Sequence, residues 1–310
     1  MLTAIPPLRN SEKLEFGGAE LRPTGDLDTS KLVVASYNIR YAVGRFLISS
    51  GLLRKIGLSG KRKRANQVGE NIRFVAEAFN SARLMPFPHV VALQEADKQT
   101  ARAGGHHVAR ELAEAIKMSW LHAPAGIPRG QVPVARQWWL DFEEQIGLHD
   151  TGDTGVALLS RLPLEEVMRI DLPWHECPWR PRLAIAATLS LGNTKLRILN
   201  THVDPHAAIS GQLEQLEVLT EEAARHAGPA LIVGDFNTLS QQKCADARTF
   251  MEARGFQTPI PTGTPTWRGA GIRLHADWIF YRGLKITNWG VARPLNVSDH
   301  WPIWAEVDVS

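Results

Sequence analysis

The chain has 310 residues, 44% of them hydrophobic and 22% charged, with a formal net charge of +3. That is enough apolar material for one large or two ordinary domains, and so mild a positive charge permits an anionic substrate without marking a dedicated nucleic-acid binder. Cys177 and Cys244 are the only cysteines and give neither zinc spacing nor a disulfide framework, which fits a reducing compartment.

Residues 1–30 are rich in Pro, Gly and charge and read as a leader that wraps the domain or is loosely ordered. They carry no secretory-type signal, and no run approaches the ~18 apolar residues of a membrane helix. A cytoplasmic monomer without a transmembrane segment is expected, with one domain over 31–310. Leu32–Tyr37 (LVVASY) is a strand that ends in Asn38, Ile39 and Arg40. In isolation Asn38 is a turn former. In residues 44–64 an apolar run, Phe46 to Leu58, meets Lys61–Arg64 (KRKR). That stretch is either a segment gripping phosphates or an anionic membrane, or a solvated basic turn.

Ala65–Arg83 has Val68, Ile72, Val75 and Phe79 at helical spacing. His89–Gln94 is a strand with Glu95 at its end, and Gly104–Met118 reads as a helix. Residues 119–150, with Trp120, Trp138 and Trp139 among several prolines, read as an active-site loop or a surface wrap. Gly155–Ser160 is a strand, and Leu164–Leu172 a further candidate. The loop Trp174–Arg182 carries Trp179, Arg180 and Arg182. Leu183–Leu191 and Lys195–Asn200, split by Gly192-Asn193, form a hairpin whose second strand delivers Thr201, His202 and Asp204.

Ala207–His226 is a strong helix leading into Leu231–Thr238, LIVGDFNT. Here a short buried strand closes on a glycine, a carboxylate (Asp235) and a carboxamide (Asn237). Two residues apart in extended backbone, Asp235 and Asn237 point the same way, as an activated water beside a phosphate needs; an Asx turn is the alternative. Ala245–Arg254 is a helix and Thr262–Gly271 a loop. Trp278–Tyr281 is a strand led in by Asp277, with Lys285–Trp289 pairing nearby. Asp299-His300 then stands before the last strand, Pro302–Val307.

Taken in order, YNIR, LQE, ALLSRLP, NTHVD, GDFN, the aspartate before WIF, and SDHWPI resemble the endonuclease/exonuclease/phosphatase superfamily, the DNase I-like fold. The resemblance spans about 31 to 309. It implies an α/β, four-layer α/β/β/α sandwich: two packed mixed sheets with outer helices and the polar strand ends at one edge. It further implies Mg²⁺ (or Mn²⁺) on Glu95, with Asn38 and Asp299 as further metal contacts. His202, Asp235, Asn237, Asp277 and His300 would be the catalytic set. In it, Asp235 orients or deprotonates the attacking water, and Asp277 fixes the His300 ring. Asn237, His202, His300 and Arg182 would contact the substrate phosphate. Two departures stand out: Arg40, where the abasic-site nuclease branch has an acid, and Leu274-His275-Ala276 ahead of Asp277.

The expected activity is metal-dependent hydrolysis of a phosphodiester, in nucleic acid or a lipid head group. A phosphomonoesterase on a sugar or inositol phosphate shares this core, and so does a catalytically inactive binding protein.

Overall fold

The computed structural model describes residues 13–18, 31–44, 61–127, 146–147, 149–174, 181–269 and 271–308. The apolar part of the 44–64 stretch, Trp138 and Trp139, and Trp179 with Arg180 lie outside the described residues.

Strand β2 (Lys31–Asn38) shows how the layers arise. Its side chains alternate, with Leu32 and Val34 in one apolar cluster and Ala35 and Tyr37 in another, so both faces are buried. It pairs in parallel with β3 (Val90–Gln94) and antiparallel with β14 (Ile303–Asp308). The sheet extends through β5 (Gly155–Ser160), β4 (Ser119–Pro124) and β1 (Glu15–Gly17) on one side and β13 (Lys285–Val291) on the other, seven strands in all. Helices α1 (Lys61–Asn80) and α2 (Val108–Ala115) cover its outer face through Val75, Phe79 and Leu112, against Tyr37, Leu93 and Leu159.

The second sheet has the order β12-β9-β8-β7-β6. Its strands are β6 (Glu165–Asp171), β7 (Leu183–Leu191), β8 (Thr194–His202), β9 (Ala230–Asp235) and β12 (Asp277–Arg282). Helices α3 (Ile209–Ala224) and α4 (Gln241–Glu252) lie outside it, with Leu216, Leu219 and Met251 on Trp278 and Phe280. Between the sheets, Leu32, Val34, Leu158, Ile185, Leu231, Val233 and Ile279 form a third cluster. Three apolar layers make the four-layer sandwich expected from the sequence.

Each sheet contains one parallel pair, β2 with β3 and β8 with β9. The carboxyl ends of all four strands therefore emerge at one edge. Asp277, first in β12, is the register partner of Asp235, and Ile303, first in β14, pairs with Ser36 near the end of β2. The starts of β12 and β14 reach the same edge.

Several elements differ from the sequence reading. Lys285–Trp289, expected to pair nearby, extends to Val291 and pairs with β14 in the first sheet, the chain turning through Gly283 (φ +67°) after β12. Residues 119–124, expected as loop, are strand β4, with Leu121 and Ala123 buried. The expected loop 262–271 contains β10 (Trp267–Gly269), which pairs with β11 (Ile272–Leu274) just beyond it. Helix α2 starts after His107 rather than at Gly104, since Gly104 and Gly105 take left-handed backbone (φ +65° and +84°). Within the expected leader, β1 pairs with β4.

Below the shared edge the sheets are joined by polar bonds. Asn200 of β8 donates to Leu93 O (2.9 Å) and Ala157 O (2.8 Å) in the other sheet and accepts from Gln94 Nε2 (2.7 Å). Gln94 Nε2 also donates to Ser36 Oγ (3.1 Å). Replacing Asn200 by Ala removes three buried hydrogen bonds, at a cost of about 2–4 kcal/mol. Urea denaturation of Asn200→Ala is expected to show that loss; a variant as stable as the parent would contradict the clamp.

Candidate active site

Strand ends bring most of the expected residues together. Asn38 closes β2, His202 closes β8 and Asp235 closes β9, while Glu95 follows β3 and Asn237 lies two beyond Asp235. Glu95 (φ 50°) and Asn237 (φ 51°) both adopt left-handed backbone, which is unusual outside glycine and turns each chain sharply away from its sheet. Gly234 (φ +144°) sits so close to β8 that a Cβ there would lie 2.0 Å from Thr201 O. The motif glycine is thus a packing requirement between the two parallel strands.

The amide of Asn38 works as a spacer. Its Nδ2 donates to Asp235 Oδ2 (2.9 Å) and Glu95 Oε1 (3.2 Å), and its Oδ1 accepts from Arg40 N (3.0 Å). Asp235 Oδ1 accepts from Asn237 N (2.9 Å). Asp235 Oδ2 also lies 3.6 Å from Nε2 of both His202 and His300, and His202 Nε2 lies 3.9 Å from Glu95 Oε1. The ring of His300 is held from behind by Asp277, with Nδ1 to Oδ2 at 2.8 Å. Thr266 Oγ1 accepts from the backbone N of Asp277 (3.0 Å).

Burial sets the protonation states. Burial first, and then the neighbouring Asp277, push the Asp235 carboxyl up, against the opposing pull of His300. For His300 burial opposes the charge, but Asp277 and Asp235 outweigh it and hold the imidazolium well above the ordinary histidine range. The other face of the site is ionic. Arg40 Nη1 lies 3.3 Å from Asp299 Oδ2, which also accepts from Trp267 Nε1 (3.2 Å). Burial works against the Arg40 charge, yet Asp299, Tyr41 and Glu95 raise its pKa.

The expected residues are not equally central. Asn38, Glu95, His202, Asp235, Asp277 and His300 form one contiguous group. Asn237 joins through its backbone, while its Nδ2 donates to Val203 O (2.8 Å). Asp299 sits across Arg40 from Glu95. Arg182 meets the group only at a cavity of about 30 Å³ that it lines with His202. Its Nε is buried without a hydrogen-bond partner among the described residues.

Arg40, Ser298 and Thr266 belong to the site but not to the expected set. Ser298 Oγ donates to Asn38 O (2.8 Å) and accepts from His300 N (3.1 Å), tying β2 to the histidine loop. The signal for Arg40 was its position, two residues beyond Asn38 at a strand end.

A divalent cation fits this chemistry. Four carboxylates, Glu95, Asp235, Asp277 and Asp299, gather at one edge with Arg40, His202 and a charged His300, and burial first and then Asp277 raise the Asp235 carboxyl. Among the described residues two groups lie close enough to hold a metal ion: Asp235, Asp277 and His300, and, elsewhere, Glu15, His107 and His122. No helix among the described residues is long and apolar enough to cross a membrane.

Known proteins share the sequence family and the fold. The sequence model of the Endonuclease/Exonuclease/phosphatase family matches residues 35–300. The UPF0294 protein YE0917 of Yersinia enterocolitica is 31% identical over 144 residues, 43% of this chain and 54% of the relative, so the chain spans about half the length of that curated relative. Among solved structures, an endonuclease/exonuclease/phosphatase from Beutenbergia cavernae aligns with TM-score 0.60 at 15% identity, covering 90% of this chain and 72% of that one. A family protein from Leptotrichia buccalis aligns with TM-score 0.59 at 14% identity, covering 89% and 99%. At such identities the structures show a shared fold.

The Asp277–His300 pair gives a direct test. Asp277→Asn is expected to lower the His300 pKa from about 10 toward the ordinary 6.5, read by NMR titration of the ring. Because the folded pKa exceeds the unfolded one, the pair's stabilisation is complete below pH 6.5 and disappears as pH rises through about 10. The variant's stability deficit is expected to fade over that window; an unshifted His300 would contradict the pairing.

Proposed function

The chain belongs to the endonuclease/exonuclease/phosphatase family, and we propose that it is a divalent-metal-dependent phosphodiesterase, cleaving a nucleic-acid or phospholipid-type diester with an activated water. The coarser statement, a metal-dependent phosphoesterase, is supported by the fold and the metal-compatible clusters. One observation carries the finer reading: Asp235 Oδ2 lies 3.6 Å from two imidazole Nε2 atoms. A carboxylate base and two phosphate-binding donors thus face one point.

Each residue has a part. Glu95 would hold Mg²⁺ or Mn²⁺. Asn38, expected as a further metal contact, presents Nδ2 to Glu95 and would orient that carboxylate, and Asp299, expected likewise, is taken up by Arg40 and Trp267. When bound, the metal neutralises charge on a non-bridging phosphate oxygen. Asp235 accepts the proton of the attacking water, and its raised pKa makes it a stronger base than a surface aspartate. His300, kept charged by Asp277, donates from Nε2 to the phosphate, where negative charge grows in the transition state. His202, Asn237 and Arg182 supply further donors, and Arg40 holds Asp299 in place.

The test compares bis-p-nitrophenyl phosphate with p-nitrophenyl phosphate, under Mg²⁺, Mn²⁺ and EDTA. Expected is metal-dependent diester turnover, reduced about 10²–10⁴-fold in Asp235→Asn and His300→Ala. The pH profile of kcat/KM is expected to rise as Asp235 loses its proton near about pH 7 and to fall as His300 loses its own near about pH 10. Monoester preference would move the substrate to sugar or inositol phosphates. Absence of both turnover and metal binding would make the chain a binding protein on this fold.

A further inference from the structure

A second cluster of metal-ligating side chains lies at the far edge of the first sheet, among residues the phosphoesterase site does not use. Glu15 in β1 and His122 in β4 are register partners across the strand pair. His107 caps the N-terminus of α2 and packs edge-on to the His122 ring, centroids 5.2 Å apart. Glu15 Oε2 stands 3.7 Å from His107 Nε2 and 3.9 Å from His122 Nδ1. We propose that Glu15, His107 and His122 form a structural Zn²⁺ site that fastens the N-terminal strand to the domain.

Unsatisfied ring nitrogens argue for it most strongly. His107 is 4% exposed and His122 0%, and the nitrogen that each turns toward Glu15 has no hydrogen-bond partner among the described residues. A buried polar atom without a partner is costly, and two converging on one carboxylate oxygen call for a shared ligand. The ring of His122 is already set for it. Its Nε2–H donates to the carbonyl of Ala96 (2.8 Å), which leaves the Nδ1 lone pair facing Glu15. A backbone carbonyl on the remote ring nitrogen is the usual support of a metal-bound histidine. Burial above all holds both imidazoles neutral, lowering them to about 4, the form that coordinates metal.

The carboxylate of Glu15 is divided in the same sense. Lys98 Nζ pairs with Oε1, which leaves Oε2 to the imidazoles. Donors of a tetrahedral zinc centre with bonds of about 2.0–2.1 Å stand about 3.3 Å apart. The two Glu15 pairs, at 3.7 and 3.9 Å, are a few tenths of an ångström wider, and all three ligand atoms lie within 4.8 Å of one another, within reach of side-chain adjustment. Two imidazoles and one carboxylate are a zinc donor set with a fourth position left for water. One local bond is exchanged: His107 Nδ1 accepts a long cap bond from Arg110 N (3.4 Å), which gives way when Nε2 coordinates. The neighbouring cap bond, from His107 N to Glu111 Oε1 (3.0 Å), is unaffected.

The experiment is a zinc count. The EDTA-stripped protein is loaded with Zn²⁺ under excess Mg²⁺, dialysed, and assayed for bound zinc and thermal midpoint. Glu15→Gln, His107→Ala and Glu95→Gln are carried alongside the parent. Expected is one equivalent of zinc and a zinc-dependent rise in midpoint in the parent and in Glu95→Gln. In Glu15→Gln and His107→Ala the affinity is expected to be at least about 10-fold weaker. If His107→Ala fails to fold, Glu15→Gln alone decides. No retained zinc in the parent, parent-like affinity in Glu15→Gln, or zinc lost only with Glu95→Gln would overturn the proposal.

Discussion

Asn200 reaches across the space between the two sheets and places both of its amide hydrogens on carbonyls of the opposite sheet, Leu93 O and Ala157 O. Such a bond is possible only if β8 stands over β3 and β5 in one register. The acceptor Leu93 lies two residues before Glu95, and Asn200 lies two before His202. The clamp therefore fixes the relative height of the strand ends that carry the metal-side carboxylate and the first histidine. Parallel pairing inside each sheet does the rest, since β2 follows β3 and β9 follows β8 without a change of direction. A slip of one residue in either sheet would turn these side chains to the opposite face.

Bringing them to one edge creates an electrostatic problem that shapes the site. Asp235 and Asp277 are register partners on adjacent strands, and both are almost fully buried. Two such carboxylates repel unless a cation stands between them, and His300 fills that position. The same logic recurs around Glu95 and Asp299, where Arg40 is the built-in cation. Arg40 neutralises Asp299 from inside the fold, so the negative charge left open to a metal and substrate concentrates around Glu95 and Asp235. The residue that departs from the abasic-site nuclease pattern is in this way part of how the present site is balanced.

Much of this was readable from the chain. Polar residues at the ends of short apolar strands mark a sheet edge, and their order from Asn38 to His300 carries the family resemblance that implied the four-layer fold. What stayed hidden depends on partners distant in sequence. The partner of the strand 285–291 could not be read from its neighbours, since the chain passes through Gly283 to the other sheet. Ser119–Pro124 lost its strand signal among tryptophans and prolines, although Leu121 and Ala123 alternate correctly. Arg40, Ser298 and Thr266 are ordinary residue types in turns, and only the folded chain shows what they hold. His107 and His122 lie in unrelated elements, and Glu15 far before both, so no spacing connects them.

The arrangement stands or falls on where a divalent ion and a phosphate settle. The most direct measurement is a crystal structure with Mn²⁺ and inorganic phosphate, the ion located by its anomalous signal. Expected is a manganese peak at coordination distance from a Glu95 oxygen, with phosphate among His202, Asn237 and His300. Manganese that avoids Glu95, or phosphate that binds away from the two histidines, would contradict the assignment of this edge as the centre of phosphodiester chemistry.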